Sequence, residues 1–149
     1  MSLSSLFTVL ATSFGLILIG GGMYEFLVVD PCWPRRPDLV QPNRGGISRK
    51  RFWIPAHSIF ELMLAVSLIL TWNATGVRFW LIVALASHAA MRIWSAVDFI
   101  PKALAFEKAE TVDEAAARQW SRRSLLRFPL DLVTCVALFA AVLAVCQGS

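Results

Sequence analysis

The apolar positions of the chain fall into four long windows in which polar residues are rare: roughly Leu6 to Val29, Phe52 to Trp72, Val77 to Val97 and Leu125 to Cys146. Each is long enough to cross a hydrocarbon core of about 30 Å, which takes about 20 helical residues. The pattern predicts an all-α protein, a four-transmembrane-helix bundle forming a single transmembrane domain over residues 1–149. Between the windows lie two polar segments, 30–51 and 98–124, and the short turn "NATG" (Asn73–Gly76). The first segment holds Pro31, Pro34, Pro37, Pro42 and the Gly45-Gly46 pair and reads as irregular. The second contains "KALAFEKAETVDEAAARQWSRR", rich in Ala, Glu and Lys without internal Gly or Pro. It predicts one surface helix between helices 3 and 4, with Thr111 and Glu114 as a capping box.

Composition agrees with a membrane domain, at 57% hydrophobic, 16% charged and a mean hydropathy of +0.63. Charge then orients it. Six Arg or Lys lie in 30–51 and five in 99–123, whereas the amino terminus, the "NATG" turn and the carboxyl tail carry none. By the positive-inside rule this predicts two helical hairpins, N-out and C-out, with both polar segments cytoplasmic. The expected location is a bacterial inner (plasma) membrane with both termini periplasmic. The net charge of +4 and the pI near 9.4 then reflect topology and anionic head groups, so no nucleic-acid partner is expected. The first window has no basic residue ahead of it and ends in "YEFLVVDP" without a small-residue cleavage site, unlike a secretory signal. Cys32, Cys135 and Cys146 are too few and too scattered for a disulfide framework, and the absence of CxxC argues against a thiol oxidoreductase. Asn73-Ala74-Thr75 matches a glycosylation acceptor, read here as chance.

The helix ends repeat. Helix 1 leaves through "VVDP" and helix 3 through "AVDFIP", while helix 2 starts with "RFWIPAH" and helix 4 with "RFPLD". Both prolines suit a first helical turn, and a polar residue follows two positions later, His57 after Pro55 and Asp131 after Pro129. Two parallel repeats, or independent use of the same helix-start chemistry, both account for this.

Depth groups the polar residues of the spans. At about 1.5 Å per residue, Glu25, His57, Arg92 and Asp131 fall roughly 6 to 9 Å below the inner surface, with Glu61 and His88 near 13 to 15 Å. His57 and Glu61 are four apart, as are His88 and Arg92, so each pair points one way from its helix. Charged groups at such depths are costly and turn inward to find partners. One inward cluster of Glu25, His57, Glu61, His88, Arg92 and Asp131 is expected, with Tyr24, Trp94 and Ser95 beside it as ligand-binding groups. Three carboxylates against one guanidinium would leave negative charge to be neutralised by protonation, by a cationic His or by a bound cation.

Simpler roles exist for the same residues. Glu25, His57 and Asp131 can serve as wet anchors, and a Glu61 to Arg92 ion pair can fix helices 2 and 3. Trp33, Trp53, Trp94 and Trp120 fit an inner aromatic belt and Trp72 and Trp80 an outer one, with Trp94 alone read as a pocket wall. Gly20-Gly21-Gly22 reads as a close helix crossing or a local bend.

At "GGGMYEFLVVDPCW", "FWIPAH", "RFWLIVALASHAAMRIWSAVDFIP" and "FPLDLV" the chain resembles small four-helix integral membrane proteins of unknown function, in the broad group that includes the anthrone oxygenases. The likeness spans most of the chain and rests on helix count and length, the Gly-then-Pro pattern of helix 1, and Arg and Trp near the inner end of helix 3. It implies a pocket for a lipophile and, for an enzyme, cofactor-independent oxygenase-like chemistry. It carries no family catalytic residue onto a numbered position.

Two classes of function remain. In the first, a small lipophilic molecule, aromatic or quinone-like, is bound or oxidised: His57 or His88 is the general base, Arg92 stabilises an oxyanion, and Glu61 and Asp131 orient the imidazoles. No cofactor is expected; the metal alternative would use Glu25, His57, Glu61, His88 and Asp131, against which stand the missing Glu-x-x-His motif and the cation of Arg92. Bis-His haem ligation is opposed by a depth difference of about 7 Å between His57 and His88. In the second class the chain is a non-enzymatic accessory or assembly protein of the lipid bilayer, a homo-oligomer or the partner of another membrane protein, and its buried ion pairs are structural. An ion path is disfavoured because the outer half supplies no polar steps.

Overall fold

A computed structural model of the chain describes residues 2–147, so Met1, Gly148 and Ser149 of the expected 1–149 domain lie outside it. The described residues form helices and turns, with no strand among them. α1 (Leu3–Tyr24) starts at Ser2, whose hydroxyl accepts the Ser5 N–H at 3.2 Å. α2 (Lys50–Leu70) and α3 (Thr75–Trp94) are joined by the short turn predicted there. α4 (Ile100–Lys108), α5 (Glu114–Ser124) and α6 (Phe128–Gln147) complete the chain. Four stretches are long and apolar enough to cross a membrane: Leu3–Val29, Lys50–Leu70, Thr75–Lys108 and Glu114–Gln147.

Three helix boundaries depart from expectation. α2 begins at Lys50, so Pro55 lies inside it and the helical bond to the Arg51 carbonyl cannot form. Pro129 does sit in the first turn of α6. Second, α1 and α3 do not stop where the charges begin. Each widens into a π-helical turn, Glu25–Val29 and Ser95–Phe99, closed by i to i−5 bonds from the Asp30 N–H to the Glu25 carbonyl (2.8 Å) and from the Ile100 N–H to the Ser95 carbonyl. These are the two "VD" exits whose sequences resemble each other. An extra residue in a turn rotates the chain beyond it by about 100°, and Asp30 and Phe99 both emerge buried.

Third, the expected single surface helix over 98–124 is two helices. α3 runs on through its π turn into α4, with Pro101 in the first turn where no N–H is needed. The chain then breaks at Ala109 (ψ 137°), and the side chain of Gln41 fills the break, its Nε2 donating to the carbonyls of Phe106 and Ala109, both at 2.9 Å. The Thr111–Glu114 capping box does not form. Asp113 is the cap of α5, accepting the Ala115 N–H at 2.9 Å, because it is the extended residue just ahead of the helix. Glu114 pairs instead with Arg118 and Arg35.

The segment after α1 is irregular as predicted, with 3₁₀ turns at Pro37–Val40 and Pro42–Arg44. It is nonetheless tightly specified. Gly45 sits at φ +85°, and a Cβ on Gly46 would lie 2.1 Å from the Asp38 carbonyl oxygen.

α3 packs most extensively on α6, and α1 on α2 and α6, whereas the backbones of α2 and α3 approach at few points and are bridged by side chains such as Phe60 against the His88 ring. The order round the bundle is therefore α2, α1, α6, α3, with a thin seam between α2 and α3. The main core runs through all four helices: Ala11 and Leu18, Phe60 and Leu64, Leu81 and Ala84, Leu138 and Ala141. Where lipid is the solvent, close packing and polar cross-links hold helices together more than apolar burial does. A buried Thr8–Ser67 hydroxyl bond of 2.7 Å joins α1 to α2. Two glycines mark close approaches: a Cβ on Gly15 would lie 2.8 Å from Leu138, and one on Gly21 would lie 2.5 Å from the Phe52 ring. Of the glycine triplet, only Gly21 is a crossing point; Gly20 and Gly22 face open space.

A second, smaller core caps one end of the bundle. Trp33, Val29, Val40 and Ala117 are buried there, with Phe106, Val112 and Trp120 packed against them. Trp33 is fully buried, not a belt residue. Beneath the cap the helices part around a cavity.

Candidate functional site

The cavity measures about 670 Å³ and opens between the helices at the capped end. Its walls are Leu18 and Met23 of α1, Ile54 and Trp53 of α2, Met91 of α3, Phe99, Leu104 of α4, Trp120 of α5 and Phe128 of α6. Charge lines it evenly: Glu25, Asp30, Glu107 and Asp131 against Arg49, Lys50, Arg92 and Arg127. The expected excess of carboxylate is thereby corrected, because two guanidinium groups read as loop charges point inward.

Arg49 is the first of these. Its side chain is 11% exposed, with Nε 3.0 Å from Glu25 Oε2 and Nη2 3.5 Å from Asp30 Oδ1, in ion-pair range but out of line for hydrogen bonds. The guanidinium lies 5.3 Å from the Trp33 ring and 5.6 Å from that of Trp120. Trp33 Nε1 donates to Asp30 Oδ1 at 2.9 Å and to Ser121 Oγ at 3.1 Å. Burial pushes the Asp30 carboxyl above its ordinary range, and Arg49 with these hydrogen-bond donors opposes the rise.

Arg127 is the second. A 3₁₀ turn, Leu125–Arg127, swings it off the basic run and over Phe99, 4.2 Å from the ring centroid. It donates to Ser95 Oγ at 2.6 Å, and Ser95 itself donates to the Met91 carbonyl. Sequence reasoning missed Arg127 because it closes a run of membrane-surface arginines. Its i, i+4 spacing to Asp131 was the available signal.

The expected single cluster of six resolves into three groups. Glu25 belongs with Arg49 and Asp30. Asp131 lines the cavity with Arg127 as its electrostatic partner, so it orients no imidazole. Glu61, His88 and Arg92 meet at the seam between α2 and α3: Arg92 Nε donates to Glu61 Oε1 at 3.1 Å, and His88 Nε2 stands 3.3 Å from the same oxygen. Glu61 thus serves His88 and not His57, its neighbour one turn back. His57 is buried, stacked on Trp53 (5.5 Å, 25°) and 5.4 Å from the His88 ring, and its Nδ1 has no hydrogen-bond partner among the described residues. His57 and Arg92 line the cavity; Glu61 and His88 stand behind them.

Among the expected ligand-binding residues, Glu25 and Ser95 line the cavity and two do not. Tyr24 is 60% exposed, on the outer face of α1 just before the π turn. Trp94 packs edge-on behind Phe99 at 5.8 Å, and the aromatic walls are Trp53, Phe99 and Trp120 instead. The π turn accounts for the exchange, since the rotation it adds after Trp94 brings Phe99 inward. Set beside protein-family models, curated proteins and solved structures, the chain matches none of them.

Proposed function

We propose that this chain is an integral inner-membrane protein, with both termini periplasmic and its helices paired as two hairpins, that binds a small flat lipophile of aromatic or quinone-like chemistry in the cavity beneath the cap. The observation that carries this reading is the cavity itself. Its volume of about 670 Å³ falls within the roughly 300–1,000 Å³ of small-molecule sites, and aromatic walls with a few convergent polar groups are what such sites use. Trp53, Phe99 and Trp120 offer aromatic faces to a flat ring, and Asp131 and Arg127 offer partners to a hydroxyl or carbonyl on its edge. In the enzymatic form of this reading, His57 takes the proton of a phenol-like hydroxyl and Arg92 and Arg127 hold the phenolate that results, a proton transfer that readies the ring for molecular oxygen as the oxidant. His57 suits that role because its imidazole forms part of the cavity wall.

The experiment is saturable quenching of tryptophan fluorescence by a naphthoquinone in detergent-solubilised protein. Asp131→Asn is expected to weaken binding about ten-fold or more, the loss of one hydrogen bond to a charged group, with an unchanged thermal midpoint. No saturable quenching in the native protein removes the reading.

The Glu61–Arg92 bridge between two otherwise thinly packed helices favours a second reading, that of a non-enzymatic accessory protein with structural ion pairs. Glu61→Gln distinguishes the two: a lower thermal midpoint, with native naphthoquinone binding in whatever stays folded, supports a structural pair.

A further inference from the structure

We propose that His57, Glu61 and His88 together bind one first-row divalent metal ion of the class that imidazole and carboxylate ligands select. This goes beyond the lipophile reading and does not rest on it. Each residue offers one ligand atom, and these atoms lie within 4.8 Å of one another. Around a tetrahedral ion with ligand distances of about 2.0–2.1 Å, neighbouring ligand atoms stand about 3.3 Å apart. His88 Nε2 and Glu61 Oε1 are already 3.3 Å apart, so the approach of His57 is what remains, a rotation about side-chain bonds on a helix already in place.

A second, independent observation points to a ligand. His57 is only 8% exposed, and its Nδ1 is buried without a hydrogen-bond partner among the described residues. A buried imidazole nitrogen bears the full cost of its desolvation when nothing meets it. A metal ion takes a neutral imidazole nitrogen as its ligand, and His57 is one of the three donors gathered here. The backbone already places the donors. His57 and Glu61 are one turn apart on α2, Trp53 stacks on His57, and Phe60 packs against the His88 ring at 4.7 Å.

Geometry narrows the wider ligand set that the sequence allowed. Glu25 is engaged by Arg49 and Asp131 stands with Arg127, which leaves two imidazoles and one carboxylate. Arg92 does not exclude the ion. It meets Glu61 through the same Oε1 that faces His88, and a carboxylate oxygen has lone pairs for both a guanidinium N–H and an ion. Three protein ligands leave at least one position for water or for an oxygen of a molecule in the cavity that His57 lines.

The test is zinc content by elemental analysis of chelator-stripped, tag-free protein reloaded with Zn²⁺ alone and freed of excess. The expected result is about one equivalent in the native protein and in Asp131→Asn, and under a tenth of an equivalent in Glu61→Gln and His88→Ala. Glu61→Gln keeps the side chain's volume and its oxygen facing Arg92, and its zinc content, read on the fraction that elutes folded, decides the question should the histidine variant not fold. Less than a tenth of an equivalent in the native protein, or a full equivalent retained by Glu61→Gln, overturns the proposal. Asp131→Asn separates the two readings, since it weakens lipophile binding and leaves the metal.

Discussion

Trp33→Ala will unfold the cap while the four long helices stay formed. Trp33 is fully buried, its ring 5.3 Å from Phe106 and 5.8 Å from Trp120, and its indole N–H is shared between Asp30 and Ser121. Trp33 and Val40 lie outside the four long apolar stretches, so water is the alternative environment for this ring and removal of a buried indole costs about 3–5 kcal/mol. The loss is compounded because Asp30 keeps its burial and loses its principal hydrogen-bond donor. Among the described residues the other fully or nearly fully buried members of this core, Val29, Val40 and Ala117, are small, and Phe106 and Trp120 are only partly buried against it. Limited proteolysis and amide exchange check this: cleavage and exchange should rise together in 30–49 and 109–124, with protection in α1, α2, α3 and α6 unchanged. Native-like protection of both segments would show that the cap does not depend on this ring.

Arg49→Met will destabilise the folded protein by about 3–5 kcal/mol, the usual cost of removing one partner from a buried ion pair. Glu25 and Asp30 would both lose their cation, and Trp33 and Trp120 the guanidinium between them. Arg49→Lys should recover only part of the loss, because an ammonium cannot lie flat against two rings while facing two carboxylates. The variant should also respond to pH. Asp30 is raised by burial in the folded state, so the folded protein holds that proton more tightly than the unfolded chain does. Stability from this group is therefore greatest in acid and falls as pH rises from the ordinary carboxylate range through the raised folded value. Without Arg49 the rise is larger, and acidification should recover more stability in Arg49→Met than in the native protein. Thermal midpoints between pH 7 and pH 4 check this; a double variant with Asp30→Asn should lose the part of the extra slope that Asp30 supplies.

Much of this architecture is legible in the chain. Four apolar windows become four helices because nothing but helix satisfies so long an apolar backbone in lipid, and the His57/Glu61 and His88/Arg92 spacings do bring three of those four side chains together. The hidden part has physical reasons. The π turns leave no periodic trace, so the run of α3 into α4 and the inward swing of Phe99 cannot be counted from sequence. Trp33 looks like a belt residue because a proline-rich segment gives no hint that it folds back on a second core. Arg49 and Arg127 are masked by neighbouring basic residues of identical composition and opposite fate. Gln41 has no signal at all, since a side chain that ends a helix 65 residues away in the sequence is visible only after folding.

The thin seam between α2 and α3 changes what exposure means for Glu61. Its carboxylate is 46% exposed midway along an apolar helix, and in a bilayer the medium at that depth is acyl chain. Mobile ions that screen charges in water over about 8 Å at physiological strength do not enter it. High salt will therefore loosen the Arg35–Glu114 pair on the cap and leave Glu61–Arg92 as strong as before.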